Sequence, residues 1–166
     1  NAFRGLLARK NLAQELPRIP GFDDVYGLGC RFHYGQEIMI AGRSGSQKSG
    51  LALYMVSKWN LPTLYFSADM SASTAASVAS IVTGKNTREI DALMETHEGA
   101  DFLLSALERN NITFCHGNPI TWHIVEDQVN NFVTCFNEYP KVVVFDNLMD
   151  FSGSEADYQA QMAVMN

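Results

Sequence analysis

The residues best suited to chemistry lie between Gly42 and Ser49, in the run Gly-Arg-Ser-Gly-Ser-Gln-Lys-Ser. A nucleotide phosphate is held by backbone N–H groups turned inward from a glycine-rich turn, by a lysine that meets the outer phosphates, and by a hydroxyl that binds Mg²⁺. A helix beginning at the same point adds its partial positive charge. Gly42, Lys48 and Ser49 stand at the spacing of GxxxxGK[ST]. The run Gly42, Arg43, Ser44, Gly45, Ser46, Gln47, Lys48 and Ser49 is therefore the expected phosphate-binding loop for a nucleotide cofactor. One position departs from the motif: Gln47 stands where the second glycine belongs, and Gly45 lies two residues before it. The competing reading is an ordinary Gly/Ser-rich loop, and a strand before it with a helix after it favours phosphate binding.

Two carboxylates join this set. Asp146 ends the apolar run KVVVF, 98 residues after Lys48, and an acid at the end of a buried strand beside a phosphate loop holds Mg²⁺ directly or through water. Ser49 and Asp146 are thus the expected metal ligands, the alternative for Asp146 being a turn cap shared with Asn147. Asp69, in LYFSADM, ends another strand, where a carboxylate can orient water for in-line attack on a γ-phosphate. Asp69 and Lys48 are the expected catalytic residues. Aspartate is shorter than glutamate by about 1.5 Å, so that water would sit closer. The alternative for Asp69 is a helix N-cap, a role for which Ser71 competes.

These residues need a framework of strands and helices. Apolar spacing at Phe3, Leu6, Leu7, Leu12 and Leu16 predicts an N-terminal helix ending before Pro17, with Arg4, Arg9 and Lys10 on its basic face. A turn-rich passage, 17–35, leads to a strand over Gln36–Ala41, then the loop, then a helix over Lys48–Trp59 that stops at Asn60 and Pro62. A strand is predicted over Thr63–Ser67, a helix over Ser71–Val82 ending at Gly84, and helices over Thr87–His97 and Asp101–Arg109 separated by Gly99. The strand Ile112–Cys115 follows. The next helix presents Ile124, Val125, Val129, Phe132, Val133 and Phe136 on one buried face, with Thr121 as N-cap and Ile120 stapled to Val125. Lys141–Phe145 is continuously apolar, as in a strand covered on both faces, and a last helix is expected over Glu155–Asn166. Strands alternating with helices imply a parallel α/β sheet.

Composition limits the remaining possibilities. The 166 residues are 46% hydrophobic, enough for one domain that buries roughly two-thirds of its unfolded surface. No apolar run approaches the ~30 Å of a bilayer core, so a membrane protein is not expected. The net charge of −6 is uneven: residues 1–60 carry eight basic and four acidic side chains, residues 61–166 four basic and fourteen acidic. Cys30, Cys115 and Cys135 are odd in number without a CxxC pair, which suits a reducing cytoplasm. Cys115, His116 and His123 are read as packing and capping residues rather than zinc ligands. A start at Asn1 and an end inside the predicted last helix suggest a piece of something longer, truncated on its C-terminal side.

With these elements placed, the sequence from about Arg18 to Asn166 resembles the RecA-like ATPase core of the DnaB-type replicative helicases and their phage relatives. The resemblance is carried by RIPGFDDVYGLGCRFHYGQEIMIAGR before the loop, by YFSADMS, by NPITWHIVEDQVNNF and by VVVFDNLMDF. It implies a three-layer α/β/α P-loop fold over 17–166, in the cytoplasm of a bacterium or of a phage-infected host cell; for residues 1–16 two readings stay open, a helix that docks on the neighbouring subunit and a helix that packs on its own domain. It implies ATP and Mg²⁺ as cofactors, single-stranded DNA as partner, and a homo-oligomer in the form of a hexameric ring or filament. In this family Lys48 and Ser49 would contact phosphate and Mg²⁺, Asp146 would be the Walker B acid, and Asp69 would stand at the position of a catalytic glutamate. The function so implied is an ATP-driven nucleic-acid motor or recombinase in DNA replication, recombination or repair. Three other readings stay open. One is a degenerate ATPase serving as a DNA-binding or scaffold subunit, suggested by Gln47. Another is a metal-dependent nuclease using Asp69, Asp146 and Asp150. The last is a small-molecule kinase, for which region 84–110 offers only Lys85, Arg88 and Arg109 as lid cations.

Overall fold

The structure, a computed structural model, describes residues 14–67, 72–116 and 120–146. These residues form two units, the first ending at Lys48 and the second beginning at Ser49. Among the described residues no helix is long and apolar enough to cross a membrane.

In the first unit, Gln14–Leu16 is extended rather than helical. An antiparallel bridge joins Glu15 to His33, with the Leu16 amide donating to Phe32 O at 2.7 Å and the Tyr34 amide to Gln14 O at 3.0 Å. Leu16 precedes Pro17, whose ring disfavours helical backbone at the residue before it. The helix expected over Phe3–Leu16 therefore lacks its final residues, and the rest of it, 1–13, lies outside the described residues. Tyr26, on the short helix α1 (Asp23–Gly27), is buried and anchors this unit. Its hydroxyl accepts from the Ile19 amide at 2.7 Å, and its ring stands edge-on to Phe32 at 6.2 Å. The guanidinium groups of Arg18 and Arg31 lie 5.2 and 5.6 Å from the ring centre. Two of the basic residues that make the first third positive are thus engaged in packing.

The predicted strand Gln36–Ala41 is not formed. The segment joins no ladder among the described residues, and Ile38 and Met39 are 42% and 73% exposed. An apolar sequence supplies the preference for extended backbone, but a strand exists only where a neighbour accepts its hydrogen bonds.

Among the described residues the second unit is a three-stranded parallel sheet with helices. After α2 (Lys48–Trp59) come β1 (Thr63–Ser67), α3 (Ala72–Thr83), α4 (Thr87–Met94), α5 (His97–Glu108), β2 (Ile112–His116), α6 (Trp122–Phe136) and β3 (Val142–Asp146). The strand order is β2-β1-β3, with Ser67 in register with both His116 and Asp146. The fully covered strand is β1, in which all five residues are buried. β3, expected to be covered on both faces, is only half-buried, and Val143 is 41% exposed. Its apolar run reflects its place beside β1 rather than burial from both sides.

Period-two alternation divides the sheet. Leu64, Phe66, Cys115 and Phe145 pack with Ile120, Val125, Val129 and Phe132 around α6. Thr121 caps that helix, accepting from the Ile124 amide at 3.3 Å, and Ile120 and Val125 meet in the same core as the staple requires. The buried face is narrower than predicted, since Ile124 and Phe136 are exposed. A second cluster joins Ala79, Ile90 and Leu103 from α3, α4 and α5, with Ala76 and Leu93 against it. The acidic run Glu89, Asp91, Glu95, Glu98 and Asp101 is exposed, as expected of a solvated face.

The break between α4 and α5 falls at Glu95–Thr96, not at Gly99. The Thr96 hydroxyl accepts from the Gly99 amide at 3.1 Å and so caps α5. Gly99 is needed for another reason: a Cβ there would collide with the Leu93 carbonyl oxygen and crowd the Thr96 hydroxyl at 2.7 Å. Because the obstacle is backbone at a helix junction, Gly99→Ala is expected to destabilise the protein by about 1–3 kcal/mol, the usual cost of overpacking, measured by urea denaturation. A change below 0.5 kcal/mol, roughly that of a surface substitution, would remove this role from the glycine.

Candidate functional site

The loop from Gly42 leads directly into α2, whose first two residues are Lys48 and Ser49. Within the first unit it folds tightly, with the Ser46 amide donating to Arg43 O at 3.2 Å. The Lys48 ammonium turns back over the loop and donates to Gly42 O at 3.2 Å and Arg43 O at 3.0 Å. Gly42 makes room for this arrangement, since a Cβ there would stand 2.5 Å from Ser46 Oγ. Residues Gly42 to Gln47 are all exposed, the Arg43 side chain among them. The loop is thus an open turn with its cation satisfied by its own carbonyls.

Gly45 and Gln47 both have positive φ, 76° and 60°. Glycine adopts such backbone at no steric cost, whereas an L side chain is disfavoured there. Asn60 and Asn137 share the left-handed region at the ends of α2 and α6, where asparagine's short polar side chain is tolerated. Gln47 has no such compensation. The place where the motif has glycine is therefore one whose backbone calls for glycine.

In the second unit, Ser49 Oγ donates to Asp146 Oδ1 at 3.0 Å, joining residues 97 positions apart. The first turn of α2 is thereby fixed to the C-terminal end of β3. The other carboxylate oxygen, Oδ2, accepts from the Tyr65 hydroxyl at 2.8 Å. Tyr65 lies in the middle of β1, opposite Val144, so Asp146 stands two residues further along the same face of the neighbouring strand. Burial first, then the hydrogen bond to Asp146 and that carboxylate's charge, push the Tyr65 hydroxyl far above its ordinary range, so it stays protonated and can only donate to the carboxylate.

Of the expected site residues, Gly42 to Lys48 form one described turn, and Ser49 and Asp146 are hydrogen-bonded to each other. Asp69 lies outside the described residues, as do Asn147 and Asp150. Sequence reasoning missed Tyr65, because a tyrosine within TLYFS reads as an apolar core residue. The available signal was its parity with Ser67 and hence with the strand-end row. Cys115 and His116 fall on opposite faces of β2: the Cys115 thiol is buried, which raises its pKa, and lies 3.5 Å from Gln128 Oε1, whereas His116 is exposed and stacks on Phe114 at 6.2 Å. His123 pairs with Asp127 on α6 at 3.6 Å. Among the described residues no three His, Cys, Asp or Glu side chains gather as a metal site.

The chain is similar to the Gene 65 protein of Mycobacterium phage L5. The two are 26% identical over 157 residues, which cover 93% of this chain and 58% of that protein. This chain thus spans less than two-thirds of the length of its phage relative. No family model matches it, and no solved structure does.

The loop geometry gives a direct test. A non-glycine residue in the left-handed region costs about 1–3 kcal/mol, and the greater unfolded-state freedom of glycine offsets roughly 0.5–1 of this. Gln47→Gly is therefore expected to raise stability by about 1 kcal/mol, read as a higher denaturation midpoint at unchanged slope. A lower midpoint would show that the glutamine side chain contributes contacts that outweigh its backbone cost.

Proposed function

We propose that this chain holds a RecA-like nucleotide-binding core that binds ATP with Mg²⁺ and hydrolyses it to drive work on single-stranded DNA, as a motor or recombinase acting in a homo-oligomer. The observation that carries the reading is the Ser49–Asp146 hydrogen bond. Sequence spacing nominates the hydroxyl from the Gly-Lys-Ser loop and the acid from a distant strand end as two halves of one metal site, and the bond keeps the two groups close enough to serve one ion. After donating its proton to Asp146, Ser49 Oγ keeps lone pairs for a cation. A hydroxyl beside a carboxylate is the hard oxygen donor set that Mg²⁺ prefers, so the residues present fit the ion. When bound, Mg²⁺ supplies charge neutralisation to the β- and γ-phosphate oxygens.

The chain's own residues account for the rest. In this reading the loop offers an anion its backbone amides, that of Ser46 excepted because it donates to Arg43 O, and the N-terminus of α2 offers its partial positive charge. Lys48 exchanges its bonds to Gly42 O and Arg43 O for charge-assisted bonds to the outer phosphates. Asp69 takes the water-orienting role by the family resemblance, and the same resemblance supplies the DNA partner, the ring or filament and the RecA-like three-layer fold. The parallel order β2-β1-β3, with Asp146 at a strand's C-terminal end, agrees with that fold, because ligands of open α/β sheets bind outside those ends.

A second reading has its own observation. The strained Gln47 at a glycine position favours a degenerate ATPase that keeps the fold and assembly but binds nucleotide weakly, as a DNA-binding or scaffold subunit. One pair of measurements separates the two. Binding of a fluorescent ATP analogue with Mg²⁺ should weaken about 10- to 100-fold in Lys48→Ala, the loss of charge-assisted bonds worth roughly 1.5–3 kcal/mol, and ATP turnover should rise with single-stranded DNA in the wild type alone. Binding without turnover would favour the scaffold reading. Equal binding and equal turnover in wild type and Lys48→Ala, with or without DNA, would overturn the nucleotide site itself.

A further inference from the structure

We propose that Tyr65 is a positioning residue for Asp146, setting the Mg²⁺ dependence of nucleotide binding; the inference rests on the nucleotide-site reading above. A carboxylate turns easily about its last torsion, whose minimum is broad. Here each oxygen has its own donor, Ser49 Oγ at 3.0 Å on Oδ1 and Tyr65 OH at 2.8 Å on Oδ2, so the plane of the group is held from two sides. The two donors differ in mounting. Ser49 belongs to the first turn of α2, at the end of an exposed loop, whereas Tyr65 belongs to the buried central strand and its ring is backed by Phe114 at 5.3 Å. The tyrosine is therefore the fixed support.

Its hydroxyl also has an unusual address. A buried tyrosine hydroxyl usually finds a hydrogen-bond partner, and that of Tyr26 in the first unit finds it in the backbone, accepting from the Ile19 amide. Tyr65 instead reaches across to the next strand and ends on the one carboxylate that spacing nominates for the metal. Groups that orient a metal's ligands in this way affect metal affinity nearly as strongly as the ligands do.

The test is a Mg²⁺ titration of fluorescent ATP-analogue binding to the full chain, comparing wild type, Tyr65→Phe, Asp146→Asn and the double variant, with circular-dichroism melts of each. Tyr65→Phe should raise the half-saturating Mg²⁺ concentration about tenfold, leave analogue binding in EDTA unchanged, and add nothing further in the Asp146→Asn background. A Mg²⁺-dependent wild type matched by Tyr65→Phe, or additive losses in the double variant, overturns the positioning role alone. A Tyr65→Phe chain that no longer folds overturns it in favour of a structural role. If wild type and Lys48→Ala bind the analogue alike, without Mg²⁺ dependence, the nucleotide site falls and the positioning role falls with it.

Discussion

Five consecutive buried residues, Thr63 to Ser67, form the strand around which the second unit is arranged. A strand covered on both faces must give every backbone polar group to its neighbours, because an unpaired buried amide or carbonyl costs as much as a lost hydrogen bond. β1 meets this demand with parallel ladders to β2 and β3 in a common register. That register has two consequences. It collects Leu64, Phe66, Cys115 and Phe145 on the face packed by α6, and it sets Ser67, His116 and Asp146 side by side at the strand ends. A slip of one residue would exchange the two faces and turn Asp146 toward the apolar core.

The polar face is organised by a single carboxylate. Asp146 is half-buried, and its two oxygens take hydrogen bonds from a helix and from the central strand. A half-buried charge is retained at acceptable cost when charge-assisted bonds replace its lost water. The same bonds tie the start of α2 to the sheet. One residue thus serves two elements: the bond from Ser49 fixes the helix and the bond from Tyr65 fixes the central strand.

Charge along the chain divides in the same way. The acidic side chains between Glu89 and Asp101 are exposed on α4 and α5 and at their junction, where water solvates them, whereas Arg18 and Arg31 of the basic first third lie against Tyr26. Lys48 is the basic residue that turns over the glycine-rich loop. The formal charge of −6 is a sum over surfaces with separate duties, and it carries little information about the loop.

The sequence by itself determined the α/β alternation, the N-cap at Thr121 with its Ile120–Val125 staple, and the start of α2 at Lys48 directly after the Gly42–Gln47 loop. All of these rest on local chemistry and on the periodicity of apolar residues. Only the tertiary structure decided the rest. It left Gln36–Ala41 outside any ladder among the described residues despite its apolar sequence, and made β1 rather than β3 the covered strand, since burial depends on neighbours and not on composition. It moved the α4–α5 break from Gly99 to Thr96, because the glycine serves a close approach of backbone that no local pattern records. Tyr65 became a partner of Asp146 for the same reason. Its hydroxyl meets Asp146 through the register of two strands 81 residues apart at the point of contact, and register is a property of the assembled sheet.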